Sequence, residues 1–557
     1  MRLLNENLCF AKGTSPEVTL EVSGRCVFEF HADGNEAITT LRSDGDRTAV
    51  FCLGALDAGL YHFTARDDND EICEHLTVYD RQYQLPPFPE NSIMYHVFVD
   101  RFFRGSVCVP RRADAVYAGD WYDTPLEYPQ KPGDFIKNNN FYGGTLYGVT
   151  EKLDYLCSLG VNIIYLSPVF EAYSNHKYDT GDYLRVDAGF GGDEALAELF
   201  LRAKERSITV ILDGVFNHTG DNSRYFDRYG NYGGSGAYGN PGSQYREWYH
   251  FGKTDDEYDC WWGIRVLPKV VPCRSYIDFI CETVIPKYMK LGAGGFRLDV
   301  VDELEPEFVE KIANVVKSYG GYLVGEVWED ASDKIAYGKR RRYFQGGQLD
   351  GVMNYPLRDG IIDFLVWKSS SKLKSVYRSL KLHYPPECLD YSMTLLGTHD
   401  TERIFTVLGG EFSGGHSNSE LAVMRMTREQ YEFGKRLLKC AFALQYSLCG
   451  IPSIYYGDEV GMQGYRDPFN RCTFPWGRED GEILEWVRML GALRRRGEIG
   501  GRAADILDSD DKMLVCRSGR SIVAVNMDSK PREVRTGTNC AAVQVNAYDC
   551  FIFPEEN

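Results

Sequence analysis

Four short apolar runs, each closed by an acid, constrain the fold of this chain more than any other feature: TVILDGVFNH (209–218), GFRLDVVDE (295–303), YLVGEVW (322–328) and SMTLLGTHD (392–400). Apolar runs this continuous suit strands buried on both faces, as in parallel sheets. Four more runs share the pattern, IMYHVFVDRF (93–102), NIIYLSPVF (162–170), GVMNYPL (351–357) and SIYYGDE (453–459). Between them lie helix-like segments such as VTEKLDYLCSLG (149–160), DEALAELFLRAKERS (193–207), YIDFICETVIPKYMKLG (276–292) and EFVEKIANVVKSYG (307–320). Eight such strands with crossover helices predict an α/β fold, a (β/α)8 TIM barrel, whose chemistry gathers at the strands' C-terminal ends.

A chain of 557 residues exceeds one ordinary core. Residues 1–88 read as an N-terminal β-sandwich module built from EVTLEVSG, RCVFEFHA, TAVFCLGA, LYHFTARD and EHLTVYD, separated by Gly, Asp and Asn turns. The Pro-rich QLPPFPENS (84–92) is the linker. The catalytic barrel then spans 89–497, interrupted at about 219–275 by a Gly-, Tyr- and Trp-rich insertion without helical period. A small antiparallel β-domain, 498–557, closes the chain.

A net charge of −18 without basic runs argues against nucleic acid and anionic membrane as partners. The first residues, MRLLNENLCFAKG, lack a secretory h-region. Sixteen scattered cysteines without CxxC pairs fit a reducing compartment, so the expected location is cytoplasmic. Phosphate-loop, HExxH and GxSxG signatures do not occur.

Asp213, Asp299, Glu326 and Asp400 each fall at the polar end of a predicted strand, with Arg297, His218 and His399 beside them. Glycosidic cleavage needs one carboxyl that keeps a proton and one that stays ionised. Arg297 shares the strand face of Asp299 by the period of two, so it is expected to hold Asp299 ionised. Glu326 lies between apolar residues and Trp328, which should keep its proton. Asp299 is therefore the expected nucleophile and Glu326 the expected acid and base. No cofactor and no metal is required by carboxyl chemistry of this kind.

Together the four acid-ended segments resemble those of the α-amylase (glycoside hydrolase 13) family. Further segments, FYGGTLYGV (141–149), SNHKYDTGDY (174–183), EWYHF (247–251), YDCWWG (258–263) and DGVMNYPL (350–357), look like its neopullulanase, cyclomaltodextrinase and maltogenic amylase group. The resemblance implies Asp299, Glu326 and Asp400 as catalytic residues. It implies substrate contacts for His176, Tyr178, Asp213, His218, Arg297 and His399, an acceptor-side position for Glu303, and a pair, Asp467 and Arg471, that binds the preceding sugar. Trp328, beside the acid, is a candidate acceptor-side contact. Of the insertion's aromatics, Trp248, Tyr249, Phe251, Trp261 and Trp262, some should build a local core and some meet sugar.

The implied function is retaining hydrolysis of α-1,4 linkages in maltooligosaccharides, cyclodextrins or pullulan, and Val300 after Asp299 hints at α-1,6 as well. An α-glucanotransferase using the same intermediate, or a non-catalytic glucan-binding protein, are the alternatives. The group also implies a homodimer in which the N-terminal module narrows the partner's active-site mouth. Two segments depart from the group. LPKVV (267–271) ends in Val where relatives carry Asn, and VDRFFRGSVCVPRR (99–112) has Arg and Val in place of most oxygen ligands of a structural calcium, which takes six to eight. Asn217 remains a candidate ligand in another family arrangement.

Overall fold

A computed structural model of the chain describes residues 1–557 apart from 45–46, 82, 89–90, 123–126, 132–133, 135, 508, 536–541 and 556–557. Pro89 and Glu90 of the linker thus lie outside the described residues. The eight apolar runs form strands β1 (Met94–Val97), β2 (Ile163–Leu166), β3 (Thr209–Gly214), β4 (Gly295–Leu298), β5 (Tyr322–Gly325), β6 (Gly351–Val352), β7 (Met393–Leu395) and β8 (Ile451–Tyr455). They pair in parallel in the order β6-β5-β4-β3-β2-β1-β8-β7, and a parallel bridge between Met353 and Met393 joins the two ends. The barrel is closed.

Alternation along each strand sends its residues to two different cores. Met94, Ile163, Tyr165, Ile211, Val324, Met393 and Leu395 fill the barrel interior. Tyr95, Val97, Ile164, Leu166, Val210 and Leu212 meet the surrounding helices. Because both faces are apolar, the runs lack the polar alternation of a half-exposed strand. Gly295 opens β4 at φ 147°, and a Cβ there would collide with the backbone of Tyr322 on β5. Only glycine permits that approach beside Arg297.

Three predicted elements are shorter or more broken than their periodicity suggests. GVMNYPL gives only two strand residues, because Asn354 caps a helix, Tyr355–Trp367, by accepting from Leu357 N, with a proline in its first turn. The helix over 149–160 divides into Leu146–Glu151 and Leu153–Ser158. The helix over 276–292 contains a π segment, Phe279–Val284, just before Pro286, whose missing N–H disrupts the regular ladder.

The N-terminal strands form a five-stranded and a three-stranded sheet. Phe28 links them, stacked on Phe51 at 4.7 Å and on Phe63 at 4.9 Å. Leu382 of the helix Ser371–His383 completes this core, so the sandwich is anchored to the barrel. Strands Arg2–Leu3, Cys9–Ala11 and Thr39–Ser43 are additional to those expected from sequence. The C-terminal sheet pairs Asp505–Ile506, Met513–Ser518, Ser521–Asn526 and Asp549–Pro554 in antiparallel fashion.

Glu459, just past β8, is fully buried and accepts from the Tyr95 hydroxyl at 2.6 Å, the Tyr155 hydroxyl at 2.8 Å and Gly457 N at 2.8 Å. Burial pushes its carboxyl up to about 7. A carboxyl raised on folding contributes stability at low pH that is lost as pH rises through the folded value. Glu459→Gln is therefore expected to flatten this loss and to exceed the parent by up to about 3 kcal/mol at pH 8, since each tenfold change in proton affinity is worth about 1.4 kcal/mol. Urea unfolding at pH 4.5 and pH 8 measures it.

Candidate active site

At the C-terminal ends of β3, β4 and β5 three carboxylates meet one guanidinium. Arg297 on β4 is fully buried. Its Nη1 donates to Asp213 Oδ1 and to Asp299 Oδ1, both at 2.8 Å, while Nη2 forms an ion pair with Glu326 Oε2 at 2.8 Å. Tyr165 and Tyr178 donate their hydroxyls to Asp213 Oδ2 at 2.5 and 2.8 Å. Asp299 is 6% exposed and Glu326 5%.

The residue after Asp299 is strained. Val300 adopts φ 40° and ψ 49°, a left-handed conformation costly for a β-branched side chain. That turn aims Val300 N at Glu326 Oε2, at 2.8 Å. Glu326 Oε1 accepts from Trp328 Nε1 at 3.1 Å, and the Trp328 ring stacks on Tyr355 at 3.9 Å. Backbone strain on β4 and an indole beyond β5 thus fix one carboxylate from two sides.

A second cluster stands on the β7 side. His399 Nε2 lies 3.0 Å from Asp400 Oδ2, and Arg471 Nη2 lies 3.4 Å from Asp400 Oδ1. Arg471 also donates Nε to the His399 carbonyl at 2.9 Å and pairs through Nη1 with Asp467 Oδ1 at 3.1 Å. Its side chain is 11% exposed, so this is no ordinary surface salt bridge. Tyr178 stacks on His399 at 4.9 Å with the rings 14° apart. Tyr178 N donates to His176 Nδ1 at 3.1 Å.

Burial pushes the Asp299 carboxyl well above the usual carboxylate range, against the pull of Arg297. The expectation that Arg297 simply holds Asp299 ionised is therefore corrected. One positive charge is divided among Asp213, Asp299 and Glu326, and the neighbouring acids add to the upward shift. Asp400 differs, because His399 and Arg471 overcome the effect of burial and hold it below the usual range. Burial brings His218 down to about 4, so the ring is neutral at pH 7. Among the described residues, His218 Nε2 and His399 Nδ1 are buried without a hydrogen-bond partner.

A cleft of about 1180 Å³ opens over these groups, lined by His176, Tyr178, His218, Asp299, Glu303, Glu326, Trp328, His399, Asp400, Asp467 and Arg471. Asp213 and Arg297, expected to touch substrate, are not in the lining. They lie beneath it, bonded to each other, where they can orient the acids above. Glu303 forms the opposite rim. Its Oε1 accepts from Trp261 Nε1 and Trp262 Nε1 at 2.9 Å, and its Oε2 meets Lys269 Nζ at 2.8 Å and Asn217 Nδ2 at 3.3 Å. Asn217, weighed as an ion ligand, is engaged here.

The insertion's aromatics divide as packing requires. Trp248 and Tyr249 are buried against Tyr225, Phe226 and Tyr276, and Phe251 stacks on Phe226. Trp261 and Trp262 reach the cleft instead. Sequence reasoning missed Tyr165, which holds Asp213, and His96, which stacks under Tyr165 at 4.3 Å and meets His399 edge-on at 5.4 Å. Their signal was a polar side chain inside an otherwise apolar strand. Lys269 and Tyr337 near Glu303 carried no such signal.

A closed parallel barrel with an arginine-centred group of acids at its C-terminal rim defines the class: a (β/α)8 barrel with a rim-borne active-site cleft. The chain belongs to the α-amylase family, whose catalytic-domain profile, alpha amylase, catalytic domain, matches residues 117–265 and 273–489. An amylopullulanase of Thermoanaerobacter thermohydrosulfuricus is 36% identical over 508 residues, covering 82% of this chain and 33% of that protein. A cyclomaltodextrinase of Geobacillus thermopakistaniensis is 31% identical, covering 84% of this chain and 73% of its own length. The solved cyclic α-maltosyl-(1→6)-maltose hydrolase of Arthrobacter globiformis superposes with a TM-score of 0.69 at 26% identity, covering 84% and 99%. The chain spans between 26% and 38% of the length of three amylopullulanases that it matches. Amylopullulanases were absent from the group suggested by sequence motifs.

Removing Arg297 would leave three buried acids with no cation in contact among the described residues. Arg297→Met is expected to cost about 3–5 kcal/mol at pH 7, the scale of a broken buried ion pair. Loss of the cation removes the pull that opposes the upward shift of Asp299, so the defect should shrink as pH falls and that carboxyl takes up a proton. Melting temperatures at pH 5 and pH 7 measure the difference.

Proposed function

We propose that this chain hydrolyses α-glucosidic bonds with retention of configuration, acting on α-1,4-linked, and also α-1,6-linked, maltooligosaccharides, cyclodextrins or pullulan. The observation that carries this reading is the grip of one guanidinium on Asp299 and Glu326 from adjacent strands. Both carboxyls rest on the same guanidinium, which supports the retaining reading, since a retaining pair needs a separation of about 5–5.5 Å. Relatives named for pullulan and for cyclodextrins support the substrate class.

In this reading the Asp299 and Glu326 pair carries one proton, which rests on Glu326 once substrate is bound; Asp299 then attacks the anomeric carbon as the carboxylate while Glu326 gives that proton to the departing glycosidic oxygen. Glu326 then takes a proton from water, and the water oxygen displaces Asp299 with its electron pair. Asp400, kept anionic by His399 and Arg471, faces the positive charge that develops on the sugar. The unpartnered nitrogens of His218 and His399 are suited to sugar hydroxyls. Free thiols at all fifteen described cysteines support a reducing, cytoplasmic location.

Transfer to a sugar acceptor is the second reading. It is favoured by an aromatic wall along the cleft, where Trp262 is 77% exposed, Tyr337 63% and Trp328 44%. Such rings present faces to the apolar side of a sugar.

Asp299→Asn and Glu326→Gln are expected to lower turnover on maltoheptaose by several orders of magnitude with unchanged circular dichroism. Proton NMR of the first product should show the α-anomer. Near-normal turnover in either variant, or a β-anomer, would overturn the assignment. Chromatography of products from maltoheptaose, cyclodextrin and pullulan separates hydrolysis from transfer by the appearance of chains longer than the substrate.

A further inference from the structure

Of the ten histidines in the chain, His176, His218 and His399 line the cleft and His96 lies beneath it. Another four form a row elsewhere. His31, His62 and His75 stand directly opposite one another on neighbouring antiparallel strands, so they share one face of the five-stranded sheet. Their rings are 5.6 and 6.4 Å apart. The row then crosses to the barrel, where His383, the last residue of the helix Ser371–His383, lies against His75 with ring centroids 3.9 Å apart.

The end of this row has the composition of a metal site. Glu74 Oε2 lies 3.0 Å from His383 Nε2, and ligand atoms of Glu74, His75 and His383 all fall within 4.8 Å of one another. Each histidine has a ring nitrogen on a serine hydroxyl. His383 Nδ1 is 3.3 Å from Ser379 Oγ and His75 Nε2 is 3.2 Å from Ser332 Oγ. Both hydroxyls donate in turn to Asp330. A hydroxyl on one ring nitrogen fixes the ring and leaves the other nitrogen for a ligand, the outer-shell arrangement of metal-binding imidazoles.

The local field favours a cation. Apart from His383, the charges acting on His75 are those of Asp333, Asp330 and Glu74. The neutral imidazole is the form that binds metals. The helix C-terminus adds partial negative charge beside His383.

We propose that Glu74, His75 and His383 bind a divalent transition metal of the zinc type at the seam between the N-terminal sheet and the barrel. Two imidazole nitrogens and one carboxylate oxygen, with water as fourth ligand, are a tetrahedral zinc set. Calcium, which takes six to eight oxygens, does not suit it. To reach the ion the His75 ring would pivot about its Nε2 contact with Ser332, keeping that hydrogen bond while exchanging ring contact with His383 for a coordination bond. Because the ligands lie 309 residues apart in the chain, the ion would tie the sandwich to the barrel and stabilise the folded protein in proportion to its concentration.

The test uses the full chain, stripped with EDTA and titrated with zinc chloride by calorimetry, with melting temperature as a second readout. One saturable equivalent and a rise in melting temperature are expected, with calcium chloride producing neither. His75→Ala/His383→Ala should lose both effects while keeping parental turnover on maltoheptaose. Glu74→Gln, which keeps the shape and removes the anionic ligand, should weaken binding at least about tenfold; it also serves if the double variant does not fold. Absence of a saturable equivalent would overturn the proposal. So would equal zinc binding by the parent and Glu74→Gln, which would place the ion at the cleft histidines.

Discussion

One buried guanidinium organises the site. Arg297, fully buried, touches Asp213, Asp299 and Glu326 at the floor of the cleft. Buried ions of one sign are tolerated only with a partner in good geometry. Here the partner is short by two charges, and the neighbouring acids add to the upward shift that burial gives Asp299. Structure and reactivity are therefore the same problem at this position. The arginine makes burial of the acids feasible, and its pull does not offset what burial does to Asp299.

Around that centre, each strand end contributes through a different physical device. β3 supplies Asp213, which Tyr165 and Tyr178 hold as an anchor beneath the cleft. β4 supplies Asp299 and the strained Val300, whose N–H fastens to Glu326 on β5. Beyond β7, Asp400 is set by His399 and by Arg471 from a distant loop. The two carboxyls that face the cleft most directly are thus tuned in opposite senses. Asp299 is raised by burial, with the neighbouring acids adding to the shift, and Asp400 is lowered by two cationic neighbours.

Glu303 plays for the rim the part that Arg297 plays for the floor. A single carboxylate gathers two indoles, a lysine and an asparagine from the insertion and from the end of β3. Against burial, Lys269 and the indoles hold it below the usual carboxylate range, so it remains a fixed negative acceptor. This converts a segment built of short 3-10 turns and isolated β-bridges into an ordered wall. The wall's exposed rings, Trp262 above all, are held by their polar edges with their faces left free.

The sequence by itself determined the barrel, the sandwich and the acids. Those readings depend on local pattern: apolar runs of strand length, helical periods between them, and acids at the polar ends of runs. Asp299, Glu326 and Asp400 were legible because each sits beside its strand in the chain. What only the tertiary structure decided are relations between distant segments. Asp213 and Arg297 went beneath the cleft because they neutralise each other, and a sequence does not state which acid an arginine will meet first. The left-handed Val300 was hidden because a β-branched residue normally avoids that backbone region. His96 and Tyr165 were hidden inside runs that read as apolar, and Lys269 joined Glu303 only when the insertion folded over the rim. Local pattern fixes which face a residue takes, whereas charge pairing across the barrel depends on closure, which no single stretch of chain encodes.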